Sequence, residues 1–409
     1  MRNARGFTLV ELIVVMVIFM TVIMISASAF EKILFQSGHL VKSSQAQIEE
    51  VVGLEILRRD LEHVGYGLPW SFQNSFTTPY TEVDVSTDTP VDGIDAESFN
   101  DTPPSIPRAV VLGTSATTGK IINGSADTNP GVDYLVAKSI NVSMSPAAQR
   151  LAYVNYSGNE LSNKSFIVTK NAQDDIVDGD RVISVATSFS STMGDDRQLL
   201  MNGTNFFYVA NGSTPPSDAF KPTGKEQRVD VYGVDHDTDL RMPYNRADYY
   251  IKRPASGMNP RCNVGTGILY KSVVEQGDYT GSTGYIDYPL LDCVGDMQVV
   301  FELDTSGIDY GGTMTYVDGL ASLSAQDIRE QLRTIRVYLL THEGRKDTSF
   351  SYPVSDPNKA IVVGNPNITS TGRVWKQSDM TTVFGADWRN YRWKVHEIAV
   401  KPRNLYQKQ

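Results

Sequence analysis

The sequence lacks the residue patterns that most enzymes require. Its five histidines are scattered over 409 residues. None of them stands in a GxSxG or HExxH context, which would indicate a nucleophile or a zinc hydrolase. The run Gly265-Thr266-Gly267 is too short for a nucleotide-binding loop and favours a turn. We therefore predict that the protein is not an enzyme, with no catalytic residue and no cofactor.

Positive charge is also in short supply. The chain has 37 lysines and arginines against 47 aspartates and glutamates, a net charge of −10. This balance argues against nucleic-acid binding through bulk charge, so no nucleic-acid partner is expected. Five basic residues do lie close together near the carboxyl terminus, where alternation along a strand favours a solvated face. They are Arg389, Arg392, Lys394, Lys401 and Arg403.

One long segment near the amino terminus has almost no charge. The residues from Leu12 to Ala29 carry none, and Glu11 is the single acid in the apolar run. We expect a transmembrane helix over 7–29, since this length spans a bilayer. Arg2 and Arg5 precede the run and place the amino terminus in the cytoplasm by the positive-inside rule. The rest of the chain is then periplasmic, anchored in the inner membrane.

The decapeptide GFTLVELIVV, Gly6 to Val15, resembles the start of a type IV prepilin. The resemblance implies a leader over 1–6, cleavage by a prepilin peptidase between Gly6 and Phe7, and N-methylation of Phe7. An ordinary signal peptide is the alternative, because Ser26-Ala27-Ser28-Ala29 could serve as its cleavage site. A glutamate inside the apolar core argues against that alternative.

Glu11 is predicted to act in assembly. A carboxylate in an apolar segment costs several kcal/mol unless it is paired. In a helical assembly, the new amine of Phe7 in one subunit can neutralise Glu11 of its neighbour. Buried pairs of this kind are better attested for setting register than for adding stability.

The helix is predicted to continue beyond the membrane. Apolar residues recur at spacings of three and four, which is typical of an amphipathic helix. They are Ile48, Val51, Leu54, Leu57, Leu61 and Val64. We therefore predict one helix over 7–66, whose second half packs on a globular domain. Gly38 and Gly53 are the positions where it could bend.

Beyond the predicted helix, the chain consists of two regions of different amino-acid composition. Residues 67–108 are rich in Ser, Thr, Asp and Pro, and predict an exposed polar loop or linker. Residues 109–409 contain short β-rich runs between turn residues, which predict an exported, mostly antiparallel β domain. One helix interrupts them, where Ser324 and Asp327 have the spacing of a capping box. The predicted fold class is therefore α+β.

The sequence contains a candidate disulfide and a candidate calcium site. Cys262 and Cys293 are the only cysteines, and in an exported region a disulfide is the first expectation, with two buried thiols as the alternative. Asp235, Asp237 and Asp239 alternate like the start of a calcium loop. Since the expected glycine and the closing glutamate are both replaced, calcium is a weak candidate and an acidic turn the simpler interpretation. No other metal site is expected.

The carboxyl-terminal half extends the resemblance. The segments RCNVGTGILYKSV, PLLDCVGDMQVVFELD and LRTIRVYLLTHEGRKD resemble PilW-type minor pilins. The resemblance implies a low-copy subunit that helps to initiate a type IV pilus or lies at its tip, with other minor pilins and the major pilin as partners. A type II secretion pseudopilin, a tip adhesin that binds through aromatics in NFFYVA and DYYIKR, and a tethered enzyme remain the alternatives.

Overall fold

The computed structural model describes most of the chain beyond the predicted leader, with several gaps. The described residues are 9–73, 80–84, 96–101, 103–113, 131–155, 175–188, 197–211, 217–224, 227–254, 256–277, 284–306, 313–365, 368 and 371–405, with only the backbone for 31–50. The chain divides into two units, Met1–Val51 and Val52–Gln409.

An apolar amino-terminal helix is followed by a mostly antiparallel β domain, so the predicted α+β class is confirmed. The helices are α1 (Leu9–Glu62), α2 (Ala325–Gln331) and α3 (Gln377–Phe384). The strands are β1 (Ser71–Phe72), β2 (Val110–Gly113), β3 (Tyr134–Ser139), β4 (Leu151–Asn155), β5 (Arg181–Ser188), β6 (Arg197–Leu199), β7 (Phe207–Val209), β8 (Gln227–Asp235), β9 (Asn245–Lys252), β10 (Gly267–Val274), β11 (Tyr285–Asp304), β12 (Met314–Val317), β13 (Leu332–Glu343), β14 (Ile361–Val363), β15 (Arg373–Trp375) and β16 (Arg392–Val400).

The strands form two sheets and a hairpin. The larger sheet has the order β16-β13-β11-β10-β9-β3-β2, with β12 beside β11. The second has the order β1-β6-β5-β8-β4, with β7 beside β5, and β14 pairs with β15. The pairs are antiparallel except β1 with β6. This arrangement follows from the sequence, since many short β-rich runs separated by turn residues favour antiparallel neighbours.

Both faces of the larger sheet are buried near β11. Val299 and Phe301 belong to the main core, whereas Val300 belongs to a second cluster. Successive residues of a strand point to opposite faces, so the two clusters lie on opposite sides. The second cluster is built largely from aromatic residues around α3, namely Trp375, Phe384, Trp388 and Trp393. All residues of β11 from Cys293 to Asp304 are buried, including the polar side chains of Asp296, Gln298 and Glu302.

The end of α1 lies against the larger sheet at close range. A Cβ built on Gly53 would lie 2.0 Å from the carbonyl oxygen of Leu290 in β11. About two turns later, Asp60 forms a buried ion pair with Lys271 of β10, with a distance of 2.5 Å between the charged atoms. Tyr249 of β9 donates its hydroxyl proton to the same carboxylate oxygen. The last part of α1, from Gly53 to Asp60, therefore contacts β11, β10 and β9.

The predicted apolar stripe is only partly correct. Leu57, Leu61 and Val64 are fully buried, and Leu54 packs against the core, but Val51 is 65% exposed. The side chain of Ile48 lies outside the described residues. The helix also ends at Glu62 rather than at 66, because the chain turns through Gly65 with a φ of 81°. The helix passes through Gly53 without interruption, and the missing side chain there permits the contact with Leu290.

The segment predicted as an exposed linker contributes to the core. Within 67–108, the side chains of Tyr80, Val83 and Phe99 are buried, and so are the carboxylates of Glu82 and Asp101. β1 also lies in this segment. The prediction was wrong because it considered apolar burial alone. Charged groups hold these residues to the sheet.

A network of buried charges makes that attachment. Lys138 of β3 lies 2.8 Å from Glu82 and 2.6 Å from Asp101. Arg246 of β9 lies 3.1 Å from Glu82 and 2.8 Å from Asp248. Burial alone would raise the pKa of Asp101, but the adjacent cations of Lys138 and Arg108 outweigh it and hold that pKa below its usual value. Buried charges are tolerated when each is paired and hydrogen-bonded in this way.

Two smaller features have local causes. The predicted capping box is confirmed: the Ser324 hydroxyl accepts the Asp327 amide proton, and the Asp327 carboxylate accepts that of Ser324, which begins α2. His342 of β13 is buried against the rings of Tyr391 and Trp393. Its Nε2 accepts the amide proton of Asn263 at 2.9 Å.

The contact at Gly53 gives the first prediction. Alanine forms helix better than glycine by about 1 kcal/mol, so Gly53→Ala would stabilise an unobstructed helix. Because the new methyl group meets a backbone oxygen, we expect a net loss of about 1–3 kcal/mol in the free energy of unfolding. Urea unfolding of the full-length protein in detergent, followed by tryptophan fluorescence, measures it. The exposed neighbour Val52→Ala is the control and should be near neutral. A more stable Gly53→Ala protein would contradict the docking described.

The buried histidine gives a second prediction. Burial, and next the charge of Arg261, lower the pKa of His342 to about 4 from 6.5. The unfolded chain therefore binds a proton before the folded chain does, and stability falls as the pH drops from 6.5 towards 4. The loss attributable to His342 is on the order of 3 kcal/mol. In His342→Gln this part of the pH dependence should vanish, while His396→Gln should retain it. Equal pH profiles for all three proteins would contradict the prediction.

Candidate assembly site

The first described part of α1 exposes apolar side chains on every side. The segment Leu9–Phe30 has 22 residues and none of them is buried. At 1.5 Å per residue it is roughly 33 Å long, which matches the hydrocarbon thickness of a bilayer. Among the described residues it is the one helix long and apolar enough to cross a membrane. A helix that is apolar all round requires an apolar environment.

The polar side chains of this segment are compatible with that environment. The hydroxyl of Thr21 donates to the carbonyl of Ile18 at 2.7 Å, and the hydroxyl of Ser28 donates to the carbonyl of Ile25 at 2.9 Å. Each hydroxyl thus makes its hydrogen bond within the helix. Because a hydroxyl without a partner costs free energy in hydrocarbon, these local bonds remove an obstacle to insertion.

Glu11 is the one charged side chain between Leu9 and Phe30. It lies in the first turn of α1, where the positive end of the helix dipole favours an anion. That effect is worth about 1 kcal/mol or less at most sites, which is below the cost of a carboxylate in an apolar segment. A cation beside the carboxylate would offset more of that cost, since an unpaired buried charge is the more expensive state. Gly6 and Phe7, the predicted cleavage and methylation positions, lie outside the described residues.

The predicted disulfide is present. Cys262 and Cys293 are joined, with their Cα atoms 4.8 Å apart. Cys293 lies in β11 with a φ of 58°, next to an irregularity in the pairing of that strand. The bond connects the loop before β10 to β11 and closes a loop of 31 residues. It stabilises the β domain and lies in a different unit of the chain from Glu11.

The three alternating aspartates form a turn. The Asp235 carboxylate accepts both the amide proton and the hydroxyl proton of Thr238, at 3.0 and 2.7 Å. Asp239 lies 3.4 Å from Arg181, and Asp237 is exposed. The part of the chain that the structure describes contains no group of three or more His, Cys, Asp or Glu residues placed to hold a metal ion. These contacts agree with the simpler interpretation, an acidic turn.

Most of the aromatic side chains proposed for adhesion are buried. Tyr249, Tyr250 and Phe206 are buried in the core, and Phe207 and Tyr208 are partly buried. The basic residues near the carboxyl terminus form exposed ion pairs, which agrees with a solvated face. Arg392 pairs with Asp347 at 3.0 Å and Arg403 with Glu62 at 2.8 Å.

The buried charges were missed by sequence reasoning, although one signal was available. Asp60 lies three residues after Leu57 and next to Leu61, on the apolar side of the predicted stripe. A lone acid in that position predicts a buried partner, by the argument applied to Glu11. Neither Lys271 nor Lys138 could be identified in the same way, because their surroundings depend on strand pairing.

Comparison with known proteins identifies the amino-terminal motif. Residues 1–27 match the model of the prokaryotic N-terminal methylation motif. No curated protein matches the chain. Among solved structures, a type IV-like pilin from Thermus thermophilus is 13% identical, over 40% of this chain and 69% of that one, with a TM-score of 0.19. A score this low says nothing about the fold of the whole chain. The match to the motif includes Gly6, Phe7 and Glu11.

Proposed function

We propose that the protein is a minor pilin-like subunit, of the PilW type, that helps to initiate type IV pilus assembly and lies at the pilus tip. In this proposal 7–29 anchors it in the inner membrane, with a cytoplasmic amino terminus and a periplasmic β domain. Its partners are the prepilin peptidase, other minor pilins and the major pilin.

One observation carries the proposal. Glu11 is a single carboxylate in the first turn of a helix whose next 19 residues are apolar or uncharged and exposed. The methylation motif covers the same residues and supports processing between Gly6 and Phe7. A methylated amine keeps its positive charge. The amine of a neighbouring subunit is therefore a suitable partner for Glu11 and would set the axial register between helices.

The alternatives differ in what supports them. A type II secretion pseudopilin would use the same anchor and the same glutamate, so Glu11 does not separate the two. For the adhesin alternative, the aromatic side chains of DYYIKR are buried and give no support, whereas Phe207 and Tyr208 of NFFYVA are partly exposed. That the protein is not an enzyme stays a prediction.

The substitution Glu11→Ala tests the proposal. Alanine makes the segment more apolar, so we expect wild-type amounts of the protein in the membrane fraction. Without the carboxylate, the amine of the neighbour lacks its partner, and the amount in sheared pili should fall at least tenfold, the effect of about 1.4 kcal/mol. Immunoblots of both fractions measure this. Glu11→Asp, which keeps the charge, should be less affected.

The control for a general effect on the helix is Glu55→Ala, since Glu55 is exposed and forms only a surface pair with Arg58. It should enter pili normally. Normal incorporation of Glu11→Ala would contradict the assembly role. In a deletion strain we expect fewer pili. Normal pilus numbers with lost adhesion would favour the adhesin, and normal pili with failed secretion would favour the pseudopilin.

A further inference from the structure

Lys138 lies in a closed site with two carboxylates. Its side chain is fully buried, as is that of Glu82, and Asp101 is 6% exposed. The Nζ atom lies 2.6 Å from Oδ2 of Asp101 and 2.8 Å from Glu82. It also donates to the carbonyl oxygen of Phe99 at 3.1 Å. The three protons of the ammonium group are thus directed at three acceptors, and water is excluded.

We propose that Lys138 and Asp101 condense to form an isopeptide bond. The bond that forms joins Nζ of Lys138 to Cγ of Asp101, and the bond that breaks joins Cγ to Oδ2. Of the three ammonium protons, one stays on the amide nitrogen and two leave with Oδ2 as water. Atoms and charge balance without an oxidant, a reductant or another reactant.

Glu82 is placed to move the protons. It contacts Nζ of Lys138, and its Oε1 accepts the backbone amide proton of Asp101 at 2.7 Å, so it lies next to both reacting groups. As an anion, it can take a proton from the ammonium group and pass it to the departing oxygen. Arg246 and Tyr244 hold its two oxygens in place, at 3.1 and 2.5 Å.

Arg108 is placed to stabilise the intermediate. Its Nε lies 2.7 Å from Oδ1 of Asp101, the oxygen that does not leave. The Arg108 backbone amide is 2.9 Å from Oδ2 of Asp101. When the amine adds to the Cγ atom of the carboxylate, negative charge collects on both oxygens. The proton passed on by Glu82 neutralises Oδ2, and the fixed cation of Arg108 stabilises the charge on Oδ1 and lowers the barrier. The buried site also holds the two groups together, which replaces a bimolecular encounter by an intramolecular one.

The second buried lysine provides an internal comparison. Lys271 lies 2.5 Å from Asp60, and both are buried. The third group on that carboxylate is Tyr249, which donates its proton and is not an anion. Burial raises the pKa of Tyr249 well above its usual value, so it is a poor proton acceptor there. The Lys271–Asp60 pair should therefore remain an ion pair.

The isopeptide bond would close a covalent loop through 101–138 and join the residues before β2 to β3. A chain under tension would then be held there by a covalent bond in place of an ion pair. This inference does not depend on the proposed function.

Peptide mass mapping of the full-length protein from membranes tests the proposal. The protein is unfolded, reduced, alkylated and digested with trypsin. We expect one branched peptide that joins the segment of Asp101 to that of Lys138, lighter than the sum of the two by one water molecule. Trypsin should no longer cleave after Lys138. Lys271 should appear unmodified.

Two variants test whether Asp101 is the reacting carboxylate and whether Glu82 is the proton acceptor. Asp101→Ala should restore cleavage after Lys138, and so should Glu82→Gln, which keeps the shape of the side chain but cannot accept the proton. Lys271→Arg is the matched control and should leave the branched peptide unchanged. Complete cleavage after Lys138 in the wild-type protein would overturn the proposal, as would a branched peptide that persists in Asp101→Ala or maps to other residues.

Discussion

The ion pair between Asp60 and Lys271 is the interaction on which the docking of α1 depends. The helix has few apolar residues that pack on the sheet, since Leu57 and Leu61 are its fully buried ones and Val64 lies beyond its end. Apolar burial is non-directional, whereas the ion pair fixes which residue of the helix lies next to Lys271. Removing one partner would leave a buried charge, at a cost of roughly 3–5 kcal/mol. Gly53 complements it, because the absence of a side chain allows the helix to approach β11.

Pairing of buried charges also explains how residues of 67–108 are held against the larger sheet. The carboxylates of Glu82 and Asp101 lie in the core beside apolar side chains such as Val83 and Phe99, although the hydrophobic effect does not favour burial of a charge. Lys138, Arg246 and Arg108 supply the matching positive charges. Once such a network is complete, each charge is stabilised by its neighbours in a medium of low dielectric constant. The acidic residues of 67–108 can therefore be buried because basic residues elsewhere in the fold pair with them.

Patterns of neighbouring residues predicted the features of the fold that depend on interactions close in sequence. The apolar run and the capping box at Ser324 each became the expected element, and the apolar stripe did so from Leu54 to Leu61. The two cysteines formed a disulfide, for which compartment and count were sufficient reasons. Strand order and the burial of 67–108 were not predicted, since they depend on contacts between residues far apart in sequence. For the same reason the contact that Gly53 makes was not predicted, since its neighbour Leu290 is more than 200 positions away.

The central proposal is that the amino terminus, which carries the methylation motif, is a processed assembly element. Its most direct test is the mass of the amino-terminal peptide of the protein isolated from membranes. The peptide should begin at Phe7 and carry one methyl group on its amine. A peptide that begins at Met1 or near Ala29 would contradict the claim, because Glu11 would then have no neighbouring amine to neutralise.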